Sequence, residues 1–232
     1  MRILLAISLS VLFVSCNNHR NTSSVDVVGQ MRDVMWKGDL AGKISTHSLN
    51  HPNAYGLGPI EYLRGEVLLF EGQTFISKVI DSTAHEVSNV NSIQAPFFVY
   101  SKNSDLKEIS FPSMELELNS TEQLIDSLYN DYDEPLLVRI DGFFQDISIH
   151  SVNLPKGSSV SSPEKAHVGL TKYQYHNISG TIIGFFSRKH KAIFTHHDSF
   201  FHAHFISDDR SIMGHVDFVS YKSSKTNIHV SK

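Results

Sequence analysis

The run Phe201-His202-Ala203-His204-Phe205, followed by Gly214-His215-Val216, holds the side chains best suited to do chemistry. Side chains alternate faces along a strand, so His202 and His204 point the same way. A chain reversal centred on Asp209-Arg210 brings position 204 opposite His215, at the roughly 4.5–5.5 Å Cβ separation of directly opposed antiparallel residues. Three imidazoles so placed can bind a divalent metal and leave coordination positions open, as in catalytic rather than structural metal sites. The spacing alone is a weak signal. With 14 histidines in 232 residues, chance supplies roughly one His-x-His pair. Asp-Arg is also a poor two-residue turn, and a slip of one residue would throw His215 to the other face. A pair of ordinary core histidines remains the competing reading.

The elements around these residues are mainly strands. Val27, Met31, Val34 and Met35 fall at helical spacing, and Gly38 can close that helix. A glycine-rich turn, Tyr55-Gly56-Leu57-Gly58-Pro59, precedes an apolar strand over 67–70, and Glu71-Gly72 turns it into a second strand over 74–80. A short strand follows over 97–100. Ser120 and Gln123 form a capping box for a helix whose buried face carries Leu124, Ile125 and Leu128. Strands over 136–140 and 143–149 flank Asp141-Gly142, a hairpin signal. Beyond a Pro/Ser/Gly-rich loop over 153–163 come strands over 180–186, 200–207 and 215–221. This order predicts an α+β fold of mainly β character, with mixed and antiparallel sheets and a few helices. No glycine-rich nucleotide fingerprint leads a strand into a helix, which excludes a dinucleotide cofactor.

The amino terminus carries a different message. Met1-Arg2, a mainly apolar run over 3–14 and then Ser15-Cys16 read as an export signal. That run is too short to span a membrane as a helix. Leu12-Phe13-Val14-Ser15-Cys16 looks like a lipobox, and Cys16 is the only cysteine. The expectation is a lipoprotein-type signal peptide over 1–15, lipidation at Cys16, a polar tether over 16–24 and a domain over 25–232 with lobes at 25–135 and 136–232. Such a chain is an exported, membrane-anchored bacterial lipoprotein of the cell envelope. A formal net charge of −4 with scattered Lys and Arg argues against a nucleic-acid partner. The oligomeric state stays open, a homodimer included.

Four blocks, in order, carry a resemblance to a known family. They are Leu63-Arg64-Gly65-Glu66-Val67 with Glu71-Gly72, then Arg139-Ile140-Asp141-Gly142-Phe143, then Gly180-Thr181-Ile182-Ile183-Gly184-Phe185, and finally the histidine motif. With them the chain resembles the α-acetolactate decarboxylases over most of its length. The resemblance implies a two-lobed fold and a zinc-dependent lyase that converts 2-acetolactate to acetoin and carbon dioxide. It places His202, His204 and His215 on the zinc-ligand positions and Glu66 on the active-site glutamate.

The chain departs from that family at three points. His150 stands where the family carries an arginine, and histidine offers one or two donors where arginine offers a fixed fork. Pro59 stands where a threonine is common, and no acid follows Asp217, where a late glutamate would reach the metal. His150 is the candidate to orient the substrate carboxylate. Two other readings follow from these departures: a metalloenzyme of the same fold acting on another hydroxy-keto compound, or a surface lipoprotein that binds metal or ligand without catalysis. Arg139 reads as a salt-bridging strand residue. His176, His190, His196 and His197 read as surface or hydrogen-bonded residues rather than ligands.

Overall fold

The structure, a computed structural model, describes residues 25–232. The signal over 1–15, the tether over 16–24 and the lipidation site Cys16 lie outside the described residues. Within them the strands are β1 (Val25–Val28), β2 (Ile44–Ser45), β3 (Tyr55–Pro59), β4 (Glu66–Phe70), β5 (Gln73–Val79), β6 (His85–Val90), β7 (Gln94–Ala95), β8 (Phe98–Ser101), β9 (Lys107–Glu108), β10 (Glu115–Glu117), β11 (Leu136–Ser151), β12 (Thr171–Phe186), β13 (Phe201–Ser207) and β14 (Met213–Ser231). The α-helices are α1 (Met31–Lys37), α2 (Leu118–Leu128) and α3 (Pro163–Ala166). No described helix is long and apolar enough to cross a membrane.

Two six-stranded sheets dominate, and their strand pairings are antiparallel. The first has the order β1-β8-β3-β4-β5-β6. The second runs β10-β14-β11-β12-β13, and β13 also pairs with β14, so the path of long strands returns on itself. Alternation along β13 sorts its residues between two cores. Phe201, Ala203 and Phe205 join Phe144, Val219 and Tyr221 in one. Ile206, on the opposite face, joins Leu137, Ile183 and Phe185 of the second sheet with Leu57, Leu68 and Val99 of the first. His202 and His204 share the Ile206 face, so they point toward the junction of the two sheets. Burying each large apolar side chain in these cores contributes about 1.5–3 kcal/mol, which is what holds that junction rigid.

Several expectations need correction. The Asp141-Gly142 hairpin does not form: residues 136–151 are one strand, paired without interruption of direction with β12 from Leu136↔Phe186 to Ser151↔Thr171. Strands on both sides outweigh the local dipeptide preference. The glycine instead marks a bulge, with φ +149° and a register shift against β14 between Gly142 and Phe144. A Cβ there would collide with the Lys225 carbonyl oxygen. Asp141 uses its side chain rather than its backbone, accepting from Arg139 Nε at 2.8 Å and Thr181 Oγ1 at 2.8 Å.

The first helix begins later than its spacing suggests. Val27 belongs to β1, Gly29 (φ +68°) turns the chain, and α1 starts at Met31. Its end is as expected, with Gly38 in the left-handed conformation. In α2 the cap is Glu117 and Ser120 occupies its third turn position, donor and acceptor closing reciprocally. Ile125 is fully buried, but Leu128 lies exposed at 46%. The strands expected over 180–186 and 215–221 are the central parts of much longer ones.

Candidate metal centre

Register sets out the histidines in a row. His204 on β13 lies directly opposite His215 on β14, and His215 lies opposite His150 on β11. The reversal that delivers this is a loop closed by Ser207 N–H to the Ile212 carbonyl at 2.9 Å, with Arg210 at φ +62°. A tight two-residue turn is therefore unnecessary. Asp209 holds the loop by accepting from Ser207 Oγ at 2.6 Å and from Ser211 N at 3.0 Å.

Ligand atoms of His202, His204 and His215 lie within 4.8 Å of one another, and all three residues are buried. The hydrogen bonds decide which nitrogens are free. His202 Nδ1 donates to the Phe194 carbonyl at 2.6 Å, which leaves Nε2 bare, facing His215 Nδ1 at 3.1 Å. His204 is 0% exposed, yet neither of its ring nitrogens completes a hydrogen bond, and the Val67 backbone beside it offsets only part of what burial does to its pKa. Buried polar atoms without partners are costly unless something else binds them. Desolvation, with His150 nearby, pushes the His204 pKa down to about 3, and desolvation likewise lowers His202 and His215 well below the usual value. Neutral imidazoles are the form that a transition metal takes. The residues fit a divalent ion.

A second convergent set shares His215 with His150 and Asp217. It fits less well, because Asp217 already accepts from His150 Nδ1 at 2.8 Å and faces Lys172 Nζ at 3.3 Å. Burial pushes the Asp217 carboxyl up, but His150 and Lys172 more than offset this and hold it below its ordinary value.

The first sheet supplies a carboxylate across the junction. Glu66 opens β4 after Gly65, whose φ of +135° lets the backbone pass close to Ser77. Its Oε2 lies 3.6 Å from His204 Nε2, and its Oε1 accepts from Val152 N–H at 3.1 Å. Glu66 is 4% exposed; desolvation raises its pKa to about 7 against the opposing influence of His150 and the Val152 hydrogen bond.

Two features escaped the sequence reading. His196 is hydrogen-bonded, as expected, but its partner is one of the three convergent histidines: its Nε2 sits 3.2 Å from His215 Nε2. A loop histidine has no periodicity to betray it. The other is the roof. Met31 and Met35 of α1, with Leu63 and Phe97, close the chamber over Glu66, His196, His202 and His215 to about 30 Å³. Arg139 is structural, bonded to Asp141, Glu71 and the Tyr55 hydroxyl. His176 pairs with Asp146 and His190 with Ser187, away from the centre.

Comparisons with known proteins point to one family. The sequence model of the family described as alpha-acetolactate decarboxylase matches residues 29–232. Among curated relatives, the alpha-acetolactate decarboxylase of Brevibacillus brevis is 24% identical over 84% of this chain and 65% of its own length. That of Methanosarcina mazei is 26% identical over 84% of this chain and 66% of its own. The chain thus spans just under two thirds of these relatives. The crystal structure of alpha-acetolactate decarboxylase from Bacillus subtilis strain 168 superposes with a TM-score of 0.73 at 21% identity, covering 89% of this chain and 84% of that one.

Proposed function

The chain belongs to the alpha-acetolactate decarboxylase family, and from that premise we propose that it is a zinc-dependent carboxy-lyase acting on 2-acetolactate. The observation that carries the reading is the convergence of three neutral imidazoles on a buried carboxylate, with His204 left without a hydrogen bond. His202, His204 and His215 would hold the ion. When bound, it supplies Lewis-acid stabilisation for the negative charge that develops on neighbouring hydroxyl and carbonyl oxygens as carbon dioxide leaves.

The chain's own residues do the rest. Glu66, fixed by the Val152 N–H, delivers a proton to the carbon that has lost its carboxylate, and approach from one side sets the configuration of acetoin. His150, braced on Asp217 through Nδ1, orients the substrate carboxylate through Nε2, a contact that requires a proton on each ring nitrogen. A chamber of about 30 Å³ has room for roughly one water, not for a five-carbon acid. Substrate entry therefore requires the roof side chains to move, and the unbranched Met31 and Met35 are suited to that.

His196 has the role of a positioning residue. A metal-binding imidazole usually donates its second N–H to an acceptor that fixes its tautomer. With His215 Nδ1 turned to His202, its Nε2 finds that acceptor in His196. In the variant His196→Ala, metal affinity measured by chelator competition falls roughly 10–100-fold, with the circular dichroism spectrum unchanged. An affinity equal to wild type would remove His196 from the centre.

Export and lipid anchoring at Cys16 are part of the same reading and rest on the sequence of residues 1–16 alone. Substitution of histidine for the family's arginine favours one alternative, a related hydroxy-keto acid as substrate. Unlipidated protein purified from residue 17 onward separates the two. One zinc per chain with acetoin released from 2-acetolactate is the expected result. Zinc without acetoin would favour the alternative substrate, and no metal at all would defeat both.

A further inference from the structure

A cleft of about 710 Å³ opens beside the metal centre and shares no lining residue with its chamber. It lies within the size range of small-molecule sites, about 300–1,000 Å³. Leu40, Tyr62, Leu154 and Pro155 give it apolar walls. Its charged residues are unequal. Asp39 is already paired with Lys43 at 2.6 Å. Arg64 is only partly exposed, and among the described residues it has neither an ion pair nor a hydrogen bond; exposed Lys156 has none either. A half-buried guanidinium without a carboxylate is an unmet binding capacity, because its five donors in a fixed fork match a carboxylate in two parallel bonds.

The backbone that carries both cations is fixed. Tyr62 (φ +60°) and Leu63 (φ +51°) are consecutive non-glycine residues in the left-handed region, a conformation that surrounding bonds must enforce. Tyr62 N–H donates to the Leu40 carbonyl at 2.8 Å, and Leu154 N–H to the Leu63 carbonyl at 2.8 Å. Lys156 sits in a turn closed by Ser158 N–H to the Pro155 carbonyl at 3.1 Å, with Gly157 at φ +84°. Both side chains project from backbone that these bonds anchor.

We propose that this cleft is a binding site, separate from the histidine chamber, for a small carboxylic acid with an apolar body, its carboxylate held by Arg64 and reinforced by Lys156. The apolar walls select against a bare inorganic anion, and the unpaired cations select against a neutral molecule. The two compartments draw on the same segments: Leu63 lines the chamber while Tyr62 and Arg64 line the cleft, and Val152 lines the chamber while Leu154 lines the cleft.

Isovalerate, its neutral counterpart isovaleramide and inorganic phosphate are the probes, titrated by NMR into wild-type protein, Arg64→Gln, Lys156→Gln and His204→Ala, each checked for folding by circular dichroism. Isovalerate binds wild type and His204→Ala alike. Arg64→Gln weakens it roughly 10–100-fold and Lys156→Gln about 2–5-fold. Isovaleramide and phosphate bind at least tenfold more weakly. The proposal is overturned by unchanged affinity in Arg64→Gln, by equal affinity for the amide or phosphate, or by loss of binding in His204→Ala, which would place the acid in the metal chamber instead.

Discussion

His204→Ala leaves a folded protein that no longer retains zinc, and acetoin formation falls on the order of a thousandfold, the several kcal/mol a metal's charge stabilisation supplies. The reasoning starts from burial. His204 is 0% exposed and both ring nitrogens lack hydrogen-bond partners. In a histidine retained for packing, the ring would be bonded, and its removal would cost stability through a cavity and broken bonds. Here truncation also removes a buried ring whose nitrogens complete no hydrogen bond, a relief of about 1–3 kcal/mol. That gain offsets much of the cavity cost, so the metal-free variant unfolds close to metal-free wild type. The difference appears only when zinc is added. Ligand that binds the native state alone stabilises it in proportion to the logarithm of concentration over Kd. Wild type gains melting temperature with zinc and loses it with EDTA, while the variant responds to neither. Metal analysis and calorimetry, with and without chelator, read both halves. A variant that keeps one zinc per chain would show that the ion is held elsewhere, the His150, His215 and Asp217 set being the next candidate.

Much of this centre was legible in the sequence because it rests on period-two alternation. His202 and His204 share a face for that reason, and their pairing with His215 needed only a reversal near Asp209-Arg210. The reversal occurs through a longer loop than a two-residue turn, which keeps the register while relaxing the demand on turn residues. Glu66 is different in kind. Nothing in strand periodicity distinguishes a buried carboxylate from one at a wet edge, and only the Gly65-Glu66 block singled it out. Its burial comes from the packing of one sheet against another, which no local pattern encodes. His196 and the Met31 and Met35 roof were hidden for the same reason: they reach the centre from a loop and a short helix. The Asp141-Gly142 dipeptide misled because turn propensity is a local preference. Here β12 and β14 flank the segment on both sides, and the chain obeys the sheet. The glycine was still informative, since it marks where the Lys225 backbone comes too close for any side chain.

Glu66→Gln separates metal binding from chemistry. The amide keeps the shape of the carboxylate and an oxygen to accept the Val152 N–H, which the wild-type residue engages at 3.1 Å. It neither carries charge nor gives up a proton. The histidine ligands are untouched, since the nearest contact is the 3.6 Å approach of Oε2 to His204 Nε2, beyond hydrogen-bond length. Zinc content therefore stays at wild-type level. Positioned proton transfer typically contributes about 10²–10⁴-fold, and kcat for acetoin release falls by that factor. KM moves little, because in the proposed mechanism Glu66 acts on the carbon that loses its carboxylate rather than on the groups that anchor the substrate. Product configuration supplies an independent readout. If Glu66 delivers the proton from one side, the residual product of the variant, protonated from solvent, loses enantiomeric excess on chiral chromatography. Unchanged kcat and unchanged configuration together would make Glu66 a structural carboxylate and move the proton donor to another group near the ligands, where His150, His196 and Asp217 are titratable side chains.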